Sequence, residues 1–185
     1  MVAKWKKIGE EKIIAKGYGK NFFSQHYEHP VSGEDLEFFM WGSNLIASIV
    51  LPVTTDGNVI LIRSFRNGAD DVLLELPGGC RDEENETWEI VAKRELLQET
   101  GYQAETLIPL CEEGLWFEPA NLRVPYYPFL AIGCECVNSQ ELDETELIEV
   151  VSLPLSEWLD MVFSGKIRDS KSIAVTALAM KHLNI

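Results

Sequence analysis

The chain has 185 residues, 46% of them hydrophobic and 25% charged, and its 16 basic and 30 acidic side chains leave a formal charge of −14. This composition excludes disordered and fibrous classes, and the length suits one globular domain whose core needs no disulfide staples. The negative excess repels phosphate backbones, so nucleic acid is not an expected partner, and a phosphorylated ligand would need a bridging cation.

No run approaches the ~18 apolar residues that span a membrane, so no membrane partner is expected. The opening MVAKWKKIGEEK has no apolar signal-peptide core. Cys80, Cys111, Cys134 and Cys136 form no paired CxxC and no His cluster accompanies them. They read as reduced thiols of a cytoplasmic protein rather than zinc ligands.

In chain order, the first part reads as short strands at Lys12–Ala15, Asn21–Tyr27 and Leu36–Trp41, broken by Gly17, Gly19 and the stretch 30–33. Asn44–Val53 is the strongest strand signal. With Asn58–Phe65 across an Asp56-Gly57 turn it predicts a hairpin. Val72–Leu76 predicts a strand stopped by Pro77-Gly78-Gly79. Thr87–Thr100 predicts a helix with Thr87 as N-cap and Gly101 as C-terminal stop. Strands at Tyr126–Cys136 and Leu147–Leu153 follow. A helix at Leu155–Ser164, capped near Ser156 and stopped by Gly165, and a last helix over Ser170–Leu183 complete the chain. The order predicts an α+β or layered domain.

The Thr87–Thr100 helix is unusual in where its carboxylates fall. At ~100° per residue, Glu99 lies about 40° and Gln98 about 60° from Glu95, on the arc that holds Trp88, Val91 and Ala92. A surface helix segregates its carboxylates onto a polar face. Two stacked carboxylates among apolar neighbours read either as a solvated acidic patch or as a site for a hard cation such as Mg²⁺.

The segment PGGCRDEENETWEIVAKRELLQETGY resembles the signature of the Nudix hydrolases, G-x5-E-x7-R-E-U-x-E-E-x-G-U with U a bulky apolar residue. Glu86, seven intervening residues and Arg94-Glu95-Leu96-Leu97-Gln98-Glu99-Thr100-Gly101-Tyr102 carry the match. Gly79 and Glu86 are separated by six residues instead of five, unless Asn85 takes the Glu position, and Gln98 stands where the family has Glu. The flanking segments LPVTTDGNVILIRSFRNG, LLELPGG, EGLWFEPANLRVPYYPFLA and ELDETELIEVVSLPLSEWLDMVFSGKIRDSKSIAVTAL resemble the ADP-ribose pyrophosphatase branch of that family.

The resemblance implies a Nudix-type α/β/α sandwich with a mixed sheet over residues 44–185 and a small dimerising β subdomain over residues 1–43. It implies Mg²⁺, with Mn²⁺ as a substitute, held by Glu95, Glu99, Glu146, the Gly78 carbonyl and the Gln98 amide. Arg94 and Glu86 would orient the carboxylates. Glu144 would be the general base, with Asp143 or Glu149 as alternatives for either loop role. Arg66, Glu75, Trp116 and Phe117 would contact substrate. The implied reaction is hydrolysis of the pyrophosphate bond of a nucleoside diphosphate derivative, with ADP-ribose or a nucleotide sugar first, by a homodimer. The alternatives are a ligand-binding module without turnover on the same scaffold, and hydrolysis of a dinucleoside polyphosphate or a CoA-type pyrophosphate.

Overall fold

A computed structural model describes all residues except Met1, Tyr18, Asn44, Leu45, Glu84, Asn184 and Ile185. In chain order the strands are β1 (Lys6–Gly17), β2 (Lys20–Glu28), β3 (Asp35–Ser43), β4 (Ala47–Thr54), β5 (Asn58–Arg66), β6 (Asp71–Glu75), β7 (Gly78–Cys80), β8 (Tyr102–Gln103), β9 (Thr106–Pro109), β10 (Leu115–Trp116), β11 (Leu122–Arg123), β12 (Pro125–Cys136) and β13 (Ile148–Pro154). The helices are α1 (Trp88–Thr100), α2 (Leu155–Phe163) and α3 (Ser170–Ala179). Asn44 and Leu45, at the start of one expected strand, lie outside the described residues.

The chain forms two compact units, Met1–Ile46 with Trp116–Pro125, and Ala47–Leu115 with Tyr126–Ile185. In the first, β1, β2 and β3 form an antiparallel meander, and β11 adds parallel to β3. Strand β1 runs well beyond the short segment expected, while β2 and β3 exceed theirs by only one or two residues at an end. The length of β1 comes from backbone pairing, since the strand is exposed along nearly its whole course and carries no alternating apolar pattern to reveal it. Phe22 packs on Trp41 and Phe39 on one face, while Ile13, Ile14, Phe39 and Trp41 stay exposed.

In the second unit β12 runs parallel to β4, and β5 and β13 continue the sheet antiparallel. The continuous apolar runs at Ile49–Leu51 and Val59–Ile62 are almost wholly buried, as expected of strands covered on both faces. Gly57, at φ 82°, makes the expected hairpin turn with its N–H on the Thr54 carbonyl. Against this sheet α1 buries Ala92 and Leu96 among Val50, Phe129, Ala131 and Cys134. The architecture is α+β with a mixed sheet, as the sequence predicted.

The α1 ends are as predicted. Thr87 Oγ1 accepts from the Ile90 N–H, and Gly101, at φ 77°, donates to the Leu97 carbonyl. Elsewhere the boundaries differ. Pro77-Gly78-Gly79 does not simply stop a strand, because Gly78–Cys80 pairs antiparallel with Ala47–Ile49. Helix α2 starts behind Pro154 with no side-chain cap, so Ser156 is inside it. Asp169 caps α3 by accepting from the Ser172 N–H, and the last turn, Met180–His182, tightens to a 3-10 helix. Strands β8 to β11 were not expected, being too short for a pattern. Among the described residues no helix is long and apolar enough to cross a membrane.

Candidate active site

The site is built where β7 meets α1. Helix α1 turns Glu95 and Glu99 inward with Val91, Ala92 and Leu96, and leaves them 9% and 4% exposed. The two carboxylates therefore face the protein and not solvent, which removes the reading of the pair as a solvated acidic patch. The loop ahead of the helix comes close enough to touch them. The Gly78 N–H donates to Glu99 Oε2 at 2.7 Å. A Cβ placed on Gly79 would lie 2.5 Å from Glu95 Oε2. Gly78 has φ 155°, and a Cβ there would lie 2.2 Å from the Ser48 carbonyl oxygen. Gly78 thus requires glycine for its dihedral and backbone packing, while the missing side chain of Gly79 leaves room for the Glu95 carboxylate.

Arg94 ties this loop to the helix. Its Nη1 donates to Glu95 Oε1 at 2.7 Å and to Gln98 Oε1 at 3.0 Å. Nη2 donates to the Cys80 carbonyl at 2.8 Å, and Nε donates to Glu86 Oε1 at 3.2 Å. Asp82 adds an ion pair at 3.3 Å. The planar fork serves acceptors in different directions at once, which a lysine cannot do. The Gln98 amide oxygen is thereby turned to the guanidinium. Glu86 also accepts from the Asp82 N–H at 2.8 Å. That bond first, and Arg94 next, hold its carboxyl below the usual range.

The second acidic segment is joined to the C-terminal end of α1. Gln140 Nε2 donates to the Glu99 carbonyl at 2.6 Å, and the Glu141 N–H donates to the Gln98 carbonyl at 2.9 Å. The Val137 and Asn138 N–H groups both donate to the Gly101 carbonyl. Beyond these anchors Asp143–Glu146 make a turn, closed by the Glu146 N–H on the Asp143 carbonyl at 2.9 Å. Glu146 Oε2 accepts from the Asp143 N–H at 3.1 Å, while Glu144 stands exposed at the corner. Glu149 lies on β13 and pairs with Arg63 at 2.9 Å.

Burial pushes the Glu95 carboxyl up to about 7, against the opposing pull of Arg94 and with help from Glu146 and Asp82. Burial likewise pushes Glu99 up to about 8, opposed by the Gly78 N–H and by Arg66 and reinforced by Glu95 and Glu146. Glu146 is therefore near enough for its charge to be felt at both. Its own carboxylate is turned to the Asp143 N–H, and among the described residues no three His, Cys, Asp or Glu side chains close around a common point. A Mg²⁺ ion typically takes one or two protein carboxylates and completes its shell with water and substrate phosphate. The buried pair, all oxygen donors and short of compensating cations, fits such an ion.

Arg66 and Glu75 lie beside this cluster. Arg66 Nε donates to Glu75 Oε1 at 2.5 Å, and Lys171 Nζ lies 3.8 Å from Glu75 Oε2. Glu75 is 1% exposed, and burial raises its carboxyl despite both cations. Trp116 and Phe117 belong to the other compact unit, and Trp116 is exposed there. Two residues at the site escaped the sequence reading. Gln140 had no signal, being one amide in a polar loop. Lys171 was hidden in an ordinary Ser-Lys-Ser helix start.

A carboxylate-lined helix, locked by an arginine to a glycine loop over a mixed sheet, defines the class that the comparisons also give. The NUDIX domain family model matches residues 44–174. An ADP-ribose pyrophosphatase of Bacillus subtilis (strain 168) is 33% identical over 140 residues, covering 75% of this chain and 72% of that protein. A GDP-mannose pyrophosphatase of Yersinia pestis (strain Pestoides F) is 35% identical over 147 residues, covering 74% and 71%. A crystal structure of an ADP compounds hydrolase matches with a TM-score of 0.84 at 21% identity, covering 100% of this chain and 96% of that one. The chain belongs to the Nudix family.

Proposed function

We propose that the protein is a Mg²⁺-dependent pyrophosphohydrolase of a nucleoside diphosphate derivative, with ADP-ribose or a nucleotide sugar as substrate. The observation that carries this reading is the burial of Glu95 and Glu99 on the inward face of α1, against the Gly78-Gly79 loop and within the field of Glu146. The names of two relatives, an ADP-ribose and a GDP-mannose pyrophosphatase, support the substrate class.

Glu95, Glu99 and the Gly78 carbonyl would hold the ion, with Glu146 joining them once its carboxylate leaves the Asp143 N–H. When bound, such an ion lowers the pKa of a water and offsets charge on the diphosphate oxygens. Arg94 holds Glu95 at a fixed orientation and ties it to Glu86, so the carboxylate needs little rearrangement. Gln98 joins this brace through Arg94. Arg66 would bind a phosphate through its terminal nitrogens. Glu144, exposed at the turn corner, would take the proton of the attacking water. Trp116 and Phe117 would contact the nucleoside or sugar. The exposed Ile13, Ile14, Phe39 and Trp41 of the first unit support a homodimer, and free cysteines support a cytoplasmic setting.

The test is a panel of ADP-ribose, GDP-mannose, a dinucleoside polyphosphate and a CoA-type pyrophosphate with Mg²⁺ or Mn²⁺ in ¹⁸O-water. Cleavage of a nucleotide sugar or ADP-ribose with label on one product phosphate is the expected result. Calorimetric binding without cleavage of any of them would establish the non-hydrolytic module instead.

A further inference from the structure

The geometry points to Lys171 and Asp169 as positioning residues that fix the Arg66 guanidinium, through buried Glu75, for a phosphate of the substrate. This deepens the proposed function and rests on it for the identity of the phosphate.

The chain of contacts begins at the start of α3. Asp169 Oδ2 accepts from the Ser172 N–H at 2.9 Å and from Ser172 Oγ at 2.7 Å. Ser172 Oγ accepts in turn from the Leu76 N–H at 2.9 Å, which ties the helix start to the strand that carries Glu75. The second oxygen of Asp169 accepts from Lys171 Nζ at 2.5 Å. Lys171 thus stands between Asp169 and Glu75 Oε2, and the other Glu75 oxygen accepts from Arg66 Nε. Asp169 and Ser172 are almost fully buried, and Glu75 is more buried than either metal-site carboxylate.

This arrangement sets two cations against the cost of a carboxylate charge at such depth. One cation alone would leave a Glu75 oxygen without a partner, and a buried, unpaired carboxylate is costly. With Lys171 at ion-pair distance from one oxygen and Arg66 hydrogen-bonded to the other, two cations oppose the burial that disfavours the charge of Glu75. Arg66 is thereby held by the inner edge of its guanidinium. Among the described residues its hydrogen bond runs through Nε alone, so Nη1 and Nη2 remain as a fork. Arg66 is near enough to Glu99 for its charge to lower that carboxyl. A fork held in this way, beside the metal-site carboxylates, matches paired oxygens of a phosphate bidentately. Glu75 then serves the substrate through Arg66, with one oxygen bound by Arg66 and the other facing Lys171 at 3.8 Å.

The test uses Lys171→Met, Lys171→Arg and Asp169→Asn in the full chain. The first readout is the Arg66 Nε–H signal in ¹H–¹⁵N correlation spectra, assigned by its loss in Arg66→Lys. Protected and shifted in the parent, it should move toward the position of a free arginine in Lys171→Met and return in Lys171→Arg. The second readout is steady-state hydrolysis of ADP-ribose and GDP-mannose. KM should rise about 10- to 100-fold in Lys171→Met and Asp169→Asn, with kcat changed far less and with recovery in Lys171→Arg. If Lys171→Met does not fold, Asp169→Asn carries both readouts, since its amide still accepts from Ser172. An unmoved Nε–H signal in a folded variant, or a fall in melting temperature with KM unchanged, overturns the assignment. If the parent cleaves none of the panel, the proposed function fails, and the Nε–H signal alone still decides whether Lys171 positions Arg66.

Discussion

Gly79 and Glu95 are packed so closely that a single added carbon on the glycine would fall 2.5 Å from both the Cδ and the Oε2 of the carboxylate. The neighbouring Gly78 is confined differently, against the Ser48 backbone oxygen and with φ 155°. The two positions give opposite expectations for the same substitution.

Gly79→Ala should fold, because the atoms in the way are the far end of a movable side chain. Its melting temperature should stay within a few degrees, while turnover falls by about tenfold or more as Glu95 is displaced. Gly78→Ala should lose several kcal/mol of stability through backbone strain and clash, of order ~1–3 kcal/mol from the dihedral alone. Denaturant melts and kinetics on both variants check this. Equal effects on stability would contradict the geometry.

Glu99→Gln keeps an acceptor for the Gly78 N–H but removes the charge. Turnover should fall by more than the ~10- to 100-fold typical of residues that only support metal ligands. The metal-free protein should be as stable as the parent or more so at alkaline pH, since a buried carboxylate is gone. Retained turnover would remove Glu99 from the ion site.

The pH dependence of stability follows from the same pair. Glu95 titrates at about 7 and Glu99 at about 8 in the folded chain, while an unfolded glutamate titrates near its ordinary value of 4.5. Between those values the folded state binds more protons than the unfolded state, so metal-free stability falls as pH rises, by ~1.4 kcal/mol for each pH unit of such a shift at most. Glu86 and Asp169 lie below their usual range, so the stability they contribute is present above it and lost only in more acidic solution. Burial raises Glu75 as well, which adds to the same slope. The melting temperature should therefore drop from about pH 5.5 to about pH 8.5 without divalent ions. Mg²⁺ should raise it more at the alkaline end and release protons on binding. A flat profile, or a larger Mg²⁺ effect in acid, would contradict the assignment.

Arg94→Lys should weaken both folding and catalysis, because one ammonium cannot serve Glu86, Glu95, Gln98 and the Cys80 carbonyl together. A loss of about 2–4 kcal/mol is expected for leaving such partners uncompensated. Denaturant midpoints measure it.

Glu144→Gln should leave folding unchanged, as the side chain is exposed at a turn corner. If Glu144 is the base, kcat should fall by about 10²- to 10⁴-fold. A near-normal rate would move the role to Asp143 or Glu149, and parallel variants of both discriminate them.

Much of this was legible in the chain itself. The helix period placed Glu95 and Glu99 among apolar neighbours, and Thr87 and Gly101 marked both ends of α1, because capping and periodicity are local. The buried strands β4 and β5 were visible for the same reason. Of the long β1 only Lys12–Ala15 was visible, since the rest is held by backbone pairing. Gly78–Cys80 joins the sheet by pairing with a strand some thirty residues earlier, and no local pattern encodes that register. The same holds for Gln140, whose amide reaches the Glu99 carbonyl across 41 positions. Lys171 meets Glu75 through folding alone.

The anchors of Val137, Asn138, Gln140 and Glu141 on the end of α1 have an evolutionary consequence. Between those anchors and Ile148, where β13 begins, the chain runs as a short, largely exposed span. Insertions or deletions there would leave the helix register unchanged, because the anchors lie ahead of the span. The acidic loop can thus diverge on its own, with buried Glu95 and Glu99 inherited intact.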